Sequence, residues 1–133
     1  VTALQSSLAG KRCLVLDDEF LIALDIQQVL ETAGAASVTL VVNSDDALTA
    51  IRVGPKFDVA VLDVKLGGGT PANSGNSLTV AAALAAQGTP FVFLTGLLGD
   101  QTIARQFPDV PVVAKPYETP LLLAALSRAL AGR

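Results

Sequence analysis

Lys11-Arg12-Cys13-Leu14-Val15-Leu16-Asp17-Asp18-Glu19 is the stretch that decides the fold. The apolar run from Cys13 to Leu16 does not alternate with polar residues, and it halts at a pair of acids. That is the pattern of a strand buried on both faces, as in a parallel sheet covered by helices. Immediately downstream, Ile22, Ile26, Val29, Leu30 and Ala33 recur at helical spacing, with Gln27, Gln28 and Glu31 between them and Gly34 placed as a C-terminal cap. A buried strand followed by an amphipathic helix is the opening of a βαβ unit.

The same alternation continues to the end of the chain. Val38 to Val42 reads as a second strand, and Ser44 as the N-cap of a helix that carries Asp45 and Asp46 in its first turn and stops at Gly54-Pro55. Val59 to Leu62 is a third buried run, ending on Asp63. The stretch from Gly67 to Asn76 is rich in Gly, Ser, Asn and Pro and reads as a long loop, followed by a helix over Ala81 to Gln87 closed by Gly88. Phe91 to Leu94 predicts a fourth strand ending at Thr95-Gly96, and a short helix is expected around Asp100 to Gln106. Val110 to Ala114 predicts the fifth strand, before Lys115-Pro116, and Thr119 followed by Pro120 marks the start of a last helix over Leu121 to Leu130. Five strands alternating with five helices predict an α/β fold, a doubly wound parallel sheet with helices on both faces. The leader or linker is placed at residues 1–10 and the folded domain at 11–133.

Composition narrows the function. At 133 residues the chain has room for one domain, and 51% hydrophobic residues with a mean hydropathy of +0.56 exclude global disorder. A net charge of −3, no Trp and a single Tyr argue against direct nucleic-acid binding, which needs basic patches or aromatic platforms. No apolar window reaches the ~18 residues of a membrane span, and no signal peptide is visible, so a cytoplasmic protein is expected. With no His and one Cys, zinc sites and Ser-His or Cys-His catalysis are excluded. Cys13, inside an apolar run, reads as a buried strand thiol. The chain contains no Met, so it is not expected to begin at a native start codon, and an excised or trimmed fragment is expected. The Gly-, Ala- and Leu-rich composition fits a bacterium of high GC content.

In doubly wound sheets the working site lies beyond the strand carboxyl ends. The residues there are Asp17, Asp18, Asp63, Thr95 and Lys115. Taken singly, each has an ordinary explanation as a helix start, a turn residue or a solvated strand end. Jointly, three carboxylates at one edge repel one another and require a cation that one Lys cannot replace. An all-oxygen donor set without nitrogen or sulfur suits Mg²⁺. Carboxylates beside Mg²⁺, with a hydroxyl and an ammonium at hand, are equipment for phosphoryl transfer, and an Asp nucleophile would form an aspartyl phosphate.

Four segments in this order, Leu16-Asp17-Asp18-Glu19, Leu62-Asp63-Val64-Lys65-Leu66, Phe93-Leu94-Thr95-Gly96 and Lys115-Pro116-Tyr117, resemble the signatures of the receiver domain of two-component response regulators, over roughly Lys11 to Leu130. The resemblance implies a flavodoxin-like sheet in the order 2-1-3-4-5. It implies that Asp63 accepts a phosphoryl group from a phosphohistidine on a histidine kinase or histidine phosphotransfer protein. It further implies that Asp17, Asp18, Asp63 and the Lys65 backbone carbonyl serve Mg²⁺, Asp17 through water. Lys115 would pair with the phosphoryl oxygens, the Thr95 hydroxyl would move to meet them, and the Lys115-Pro116 bond would be cis. Val112 stands where many receivers carry the aromatic ring that follows the Thr. Together with Thr89-Pro90 and Phe93-Leu94-Thr95-Gly96, this is similar to a subgroup called FATGUARD that lacks that ring.

Two contexts stay open, a free-standing single-domain regulator or the receiver of a hybrid sensor histidine kinase, and a weak homodimer is compatible with either. Rival readings are a Mg²⁺-dependent phosphatase with an Asp nucleophile and a receiver-like binding module that is never phosphorylated. Phosphatases of the first kind place an acid two residues after the nucleophile, where this chain has Lys65.

Overall fold

The computed structural model describes residues 8–64, 71–96 and 107–132, apart from the side chains of 71–77. Its strands are β1 (Arg12–Leu16), β2 (Ser37–Val41), β3 (Val59–Val64), β4 (Phe91–Thr95) and β5 (Val112–Ala114). Its helices are α1 (Phe20–Thr32), α2 (Ser44–Val53), α3 (Pro71–Gln87) and α4 (Thr119–Ala131). The short helix expected around Asp100 to Gln106 lies outside the described residues.

The strands form one sheet in the order β2-β1-β3-β4-β5, every pair parallel. This is the doubly wound order that the resemblance implied. Period-two side-chain alternation splits the interior into two cores. Cys13, Val15, Val59, Val61, Val92 and Leu94 point to the face covered by α1 and α4, where they meet Ile26, Leu30, Leu122 and Leu126. Leu14, Leu16, Ala60, Leu62, Val64, Phe91 and Phe93 point to the face covered by α2 and α3, where they meet Ile51, Val80 and Leu84. Every residue of β3, the middle strand, is buried. Phe91, Phe93 and Phe107 pack edge to face, with ring centroids 5.5 to 5.8 Å apart. Burial, with the charge of Asp58 adding to it, pushes the Cys13 thiol up to about 12, in keeping with an inert core residue.

Several local expectations are corrected. Asn43, not Ser44, caps α2: its side chain accepts a hydrogen bond from the Asp46 amide at 2.7 Å, while Ser44 is already helical. Glu118 takes the cap position of α4, so Thr119 is its first residue, with Pro120 just inside the first turn. Backbone from Pro71 onward is helical, so residues 71–76 belong to α3 and not to a loop. Pro at the first position suits a helix start, and extending a helix from a packed segment such as Leu78 to Leu84 outweighs the low propensity of Asn73, Ser74 and Gly75.

Leu8, placed in the leader on composition, is fully buried in the α1/α4 core. Its amide donates to the Ala33 carbonyl and its own carbonyl accepts from Lys11. Gly34 makes room for this segment. It has φ +103°, and a Cβ there would stand 3.1 Å from the Ala9 Cα.

Candidate functional site

The first turn after β1 and the end of β3 bring the acids together. The winding reverses at β1, whose neighbours β2 and β3 lie on opposite sides, so a crevice opens beyond the carboxyl ends of β1 and β3. Asp17 leaves β1 into this crevice and is 1% exposed, its amide held by the Val41 carbonyl. Asp18 follows and is exposed. Asp63 lies one residue from the end of β3 and is buried. One carboxylate oxygen from each of Asp17, Asp18 and Asp63 lies within 4.8 Å of the others, a cluster that could hold a metal ion.

Lys115 reaches the same crevice from the far edge of the sheet. It follows β5 directly, its amide donates to the Thr95 carbonyl at 2.8 Å, and the Lys115-Pro116 bond is cis. The ammonium stands 2.7 Å from Asp63 Oδ1, 3.2 Å from Asp17 Oδ2 and 3.6 Å from Glu19 Oε1. Thr95 closes β4, buried, in register between Val64 and Ala114. Asp17, Asp18, Asp63 and Lys115, all singled out in the sequence, therefore meet at one point, and Thr95 stands at the strand end between β3 and β5. Lys65 lies outside the described residues.

Among the described residues, this group brings several carboxylates to one ammonium. Burial raises the Asp63 pKa above the ordinary carboxylate range, and the charges of Asp17 and Asp18 raise it further, against the lowering effect of Lys115. Burial works to lower the pKa of Lys115, but its hydrogen bond to Asp63 and the charges of Asp63 and Asp17 outweigh that and hold the ammonium above its usual value. A hard divalent cation would relieve the excess negative charge, and the all-oxygen donor set fits Mg²⁺.

Two contacts at the rim were not legible in the sequence. Glu19 reaches Lys115 across the crevice, and the Tyr117 hydroxyl donates to Asp25 Oδ2, tying the turn after Lys115 to α1. Glu19 could have been suspected from its place next to the acid pair. Nothing local marks Asp25.

No protein-family model matches the chain, and neither does any curated protein. Solved structures do. A response regulator receiver protein from Sinorhizobium medicae WSM419 is 25% identical, with a TM-score of 0.74 over 92% of this chain and 95% of that one. A CheY-like receiver domain protein from Methanospirillum hungatei JF-1 gives a TM-score of 0.74 at 23% identity, over 93% of this chain and 96% of that one. Chemotaxis protein CheY4 from Vibrio cholerae gives 0.74 at 22% identity, over 92% and 100%. The chain has the receiver-domain fold. In this receiver fold the acids and Lys115 occupy the crevice at the carboxyl edge of the sheet. Among its described residues, no helix is long and apolar enough to cross a membrane.

Proposed function

We propose that the chain is a phosphoacceptor receiver domain of two-component signalling, with Asp63 as the accepting residue. The observation that carries this reading is the placement of Lys115 Nζ 2.7 Å from Asp63 Oδ1, beside the cluster of Asp17, Asp18 and Asp63. In the proposed step, a carboxylate oxygen of Asp63 attacks phosphorus in line with the P–N bond of a phosphohistidine. The new P–O bond forms as P–N breaks, and the electron pair returns to the imidazole nitrogen. The imidazole leaves neutral when its other nitrogen carries a proton. Mg²⁺, held by Asp63 and Asp18, with Asp17 acting through water and the Lys65 carbonyl as a further ligand, would neutralise charge on the phosphoryl oxygens. Lys115 takes a share of that charge through its ammonium, and the Thr95 hydroxyl supplies a donor to one oxygen.

The partner is a histidine kinase or a histidine phosphotransfer protein. The N-terminal half of α1 supports this, since Phe20, Leu21 and Leu24 are large apolar residues left exposed within a turn or two of the acids. A protein carrying a phosphohistidine could cover them as it delivers its phosphoryl group. The test is incubation of the chain with Mg²⁺ and acetyl phosphate, read by intact mass. Wild type should gain one phosphoryl group, and Asp63→Asn should gain none. Undiminished labelling of that variant, or equal labelling in EDTA, would sink the reading.

A further inference from the structure

Glu19 holds an unusual position. It is the N-cap of α1, with φ −90° and ψ 98°, yet its side chain makes no capping hydrogen bond to its own helix. Its backbone is pinned by donation from its amide to Asp17 Oδ1 at 2.9 Å. The carboxylate instead faces Lys115 Nζ at 3.6 Å, with 55% of the side chain exposed. Glu19 thus lies at the mouth of the crevice, between solvent and the buried Asp17 and Asp63. Among the described residues, Asp17, Glu19 and Asp63 each face the ammonium of Lys115, and Asp18 lies beside Asp17 and Asp63, so the charge of Glu19 adds to that of the acids beneath it. Replacing Glu19 by a neutral residue removes one negative charge from the mouth of the crevice.

Resting on the phosphoacceptor reading of Asp63, we propose that Glu19 is a specificity-determining residue that disfavours free, highly anionic phosphodonors. Its charge stands at the mouth where such a donor would enter, while Asp17 and Asp63 are buried and would be offset by the ion and by Lys115. A phosphohistidine on a docked protein brings favourable surface contacts to offset the repulsion. A small dianion has none. The effect scales with the charge of the donor and is screened by salt.

The experiment compares wild type, Glu19→Gln and Glu19→Asp, with dianionic acetyl phosphate and monoanionic phosphoramidate as donors and Mg²⁺ present throughout. At low salt, Glu19→Gln should label about three- to tenfold faster with acetyl phosphate, as a unit charge a few ångströms away in a water-like dielectric predicts, and only about two- to threefold faster with phosphoramidate. Both gains should collapse in half-molar salt, and Glu19→Asp should stay near wild type. The Mg²⁺ affinity read by calorimetry should fall less than about threefold, because the proposed ligands are untouched. An equal change with both donors, or no change at low salt, would overturn the assignment, and so would a fall in Mg²⁺ affinity of about tenfold or more, which would place Glu19 among the ligands. Wild type that labels with neither donor would sink the phosphoacceptor reading itself and this inference with it. Normal wild-type labelling with an unaltered donor ratio would remove Glu19 alone.

Discussion

Asp63 sits on a strand with no exposed residue, and besides Lys115 the charges that act on it among the described residues are those of two further acids. Burial first, then Asp17 and Asp18, raise its pKa, so the folded domain binds this proton more tightly than the unfolded chain does. By linkage, the contribution of Asp63 to stability falls as pH rises from the unfolded carboxylate pKa through the folded one, and is level above it. Metal-free Asp63→Asn should therefore unfold at higher denaturant than wild type at neutral pH, by ~0.5 to 2 kcal/mol, while Lys115 keeps Asp17 and Glu19 as partners. The advantage should shrink as pH is lowered through the carboxylate range, and millimolar Mg²⁺ should narrow it by stabilising wild type more than the variant. Denaturant melts in EDTA and in Mg²⁺ check this; a variant less stable than wild type in EDTA would mean that the Lys115 contact outweighs burial. Asp17, Asp63, Thr95 and Lys115 were legible because each interrupts an apolar run at a strand end. The Glu19 to Lys115 and Tyr117 to Asp25 contacts were not, because they depend on how the turn after β5 folds across α1.

At the level of elements, strands were easier to read than helix ends. A run such as Val59 to Leu62 has one sensible place in a layered fold, whereas Asn43 and Ser44 are both good caps and only backbone geometry separates them. Asn43 satisfies the Asp46 amide with its side-chain oxygen, and its extended backbone, φ −145° and ψ 164°, precedes the first helical residue. Asn43→Ala is expected to cost about 1 kcal/mol. Ser44→Ala is expected to stay within ~0.5 kcal/mol of wild type. Equilibrium urea melts of the two variants decide it, and the reverse order would return the cap to Ser44. The start of α3 was hidden for a similar reason. Its first turns carry Gly, Ser and Asn, which signal a loop locally, while the apolar spacing that holds the helix begins only at Leu78.

For the molecule as a whole, the layered order followed from the pattern of buried runs, and the strand order from the resemblance, since periodicity alone does not say which strand lies beside which. Burial of Leu8 was out of reach because Leu8 stands between Ser6-Ser7 and Ala9-Gly10, outside every apolar run that marks a strand. The unequal lengths of the strands bear on how the domain responds to warming. β3 spans six residues at the centre, but β5 has three at the edge, with Val112 exposed, and the ammonium that faces Asp63 belongs to Lys115, the residue that follows β5 directly. Edge segments with few buried contacts open at lower free energy than the centre. On gradual heating, the domain should then lose its chemistry before its shape: acetyl phosphate labelling should fade several degrees below the midpoint of the circular dichroism melt. Labelling that persists up to that midpoint would mean that the edge is as firm as the middle.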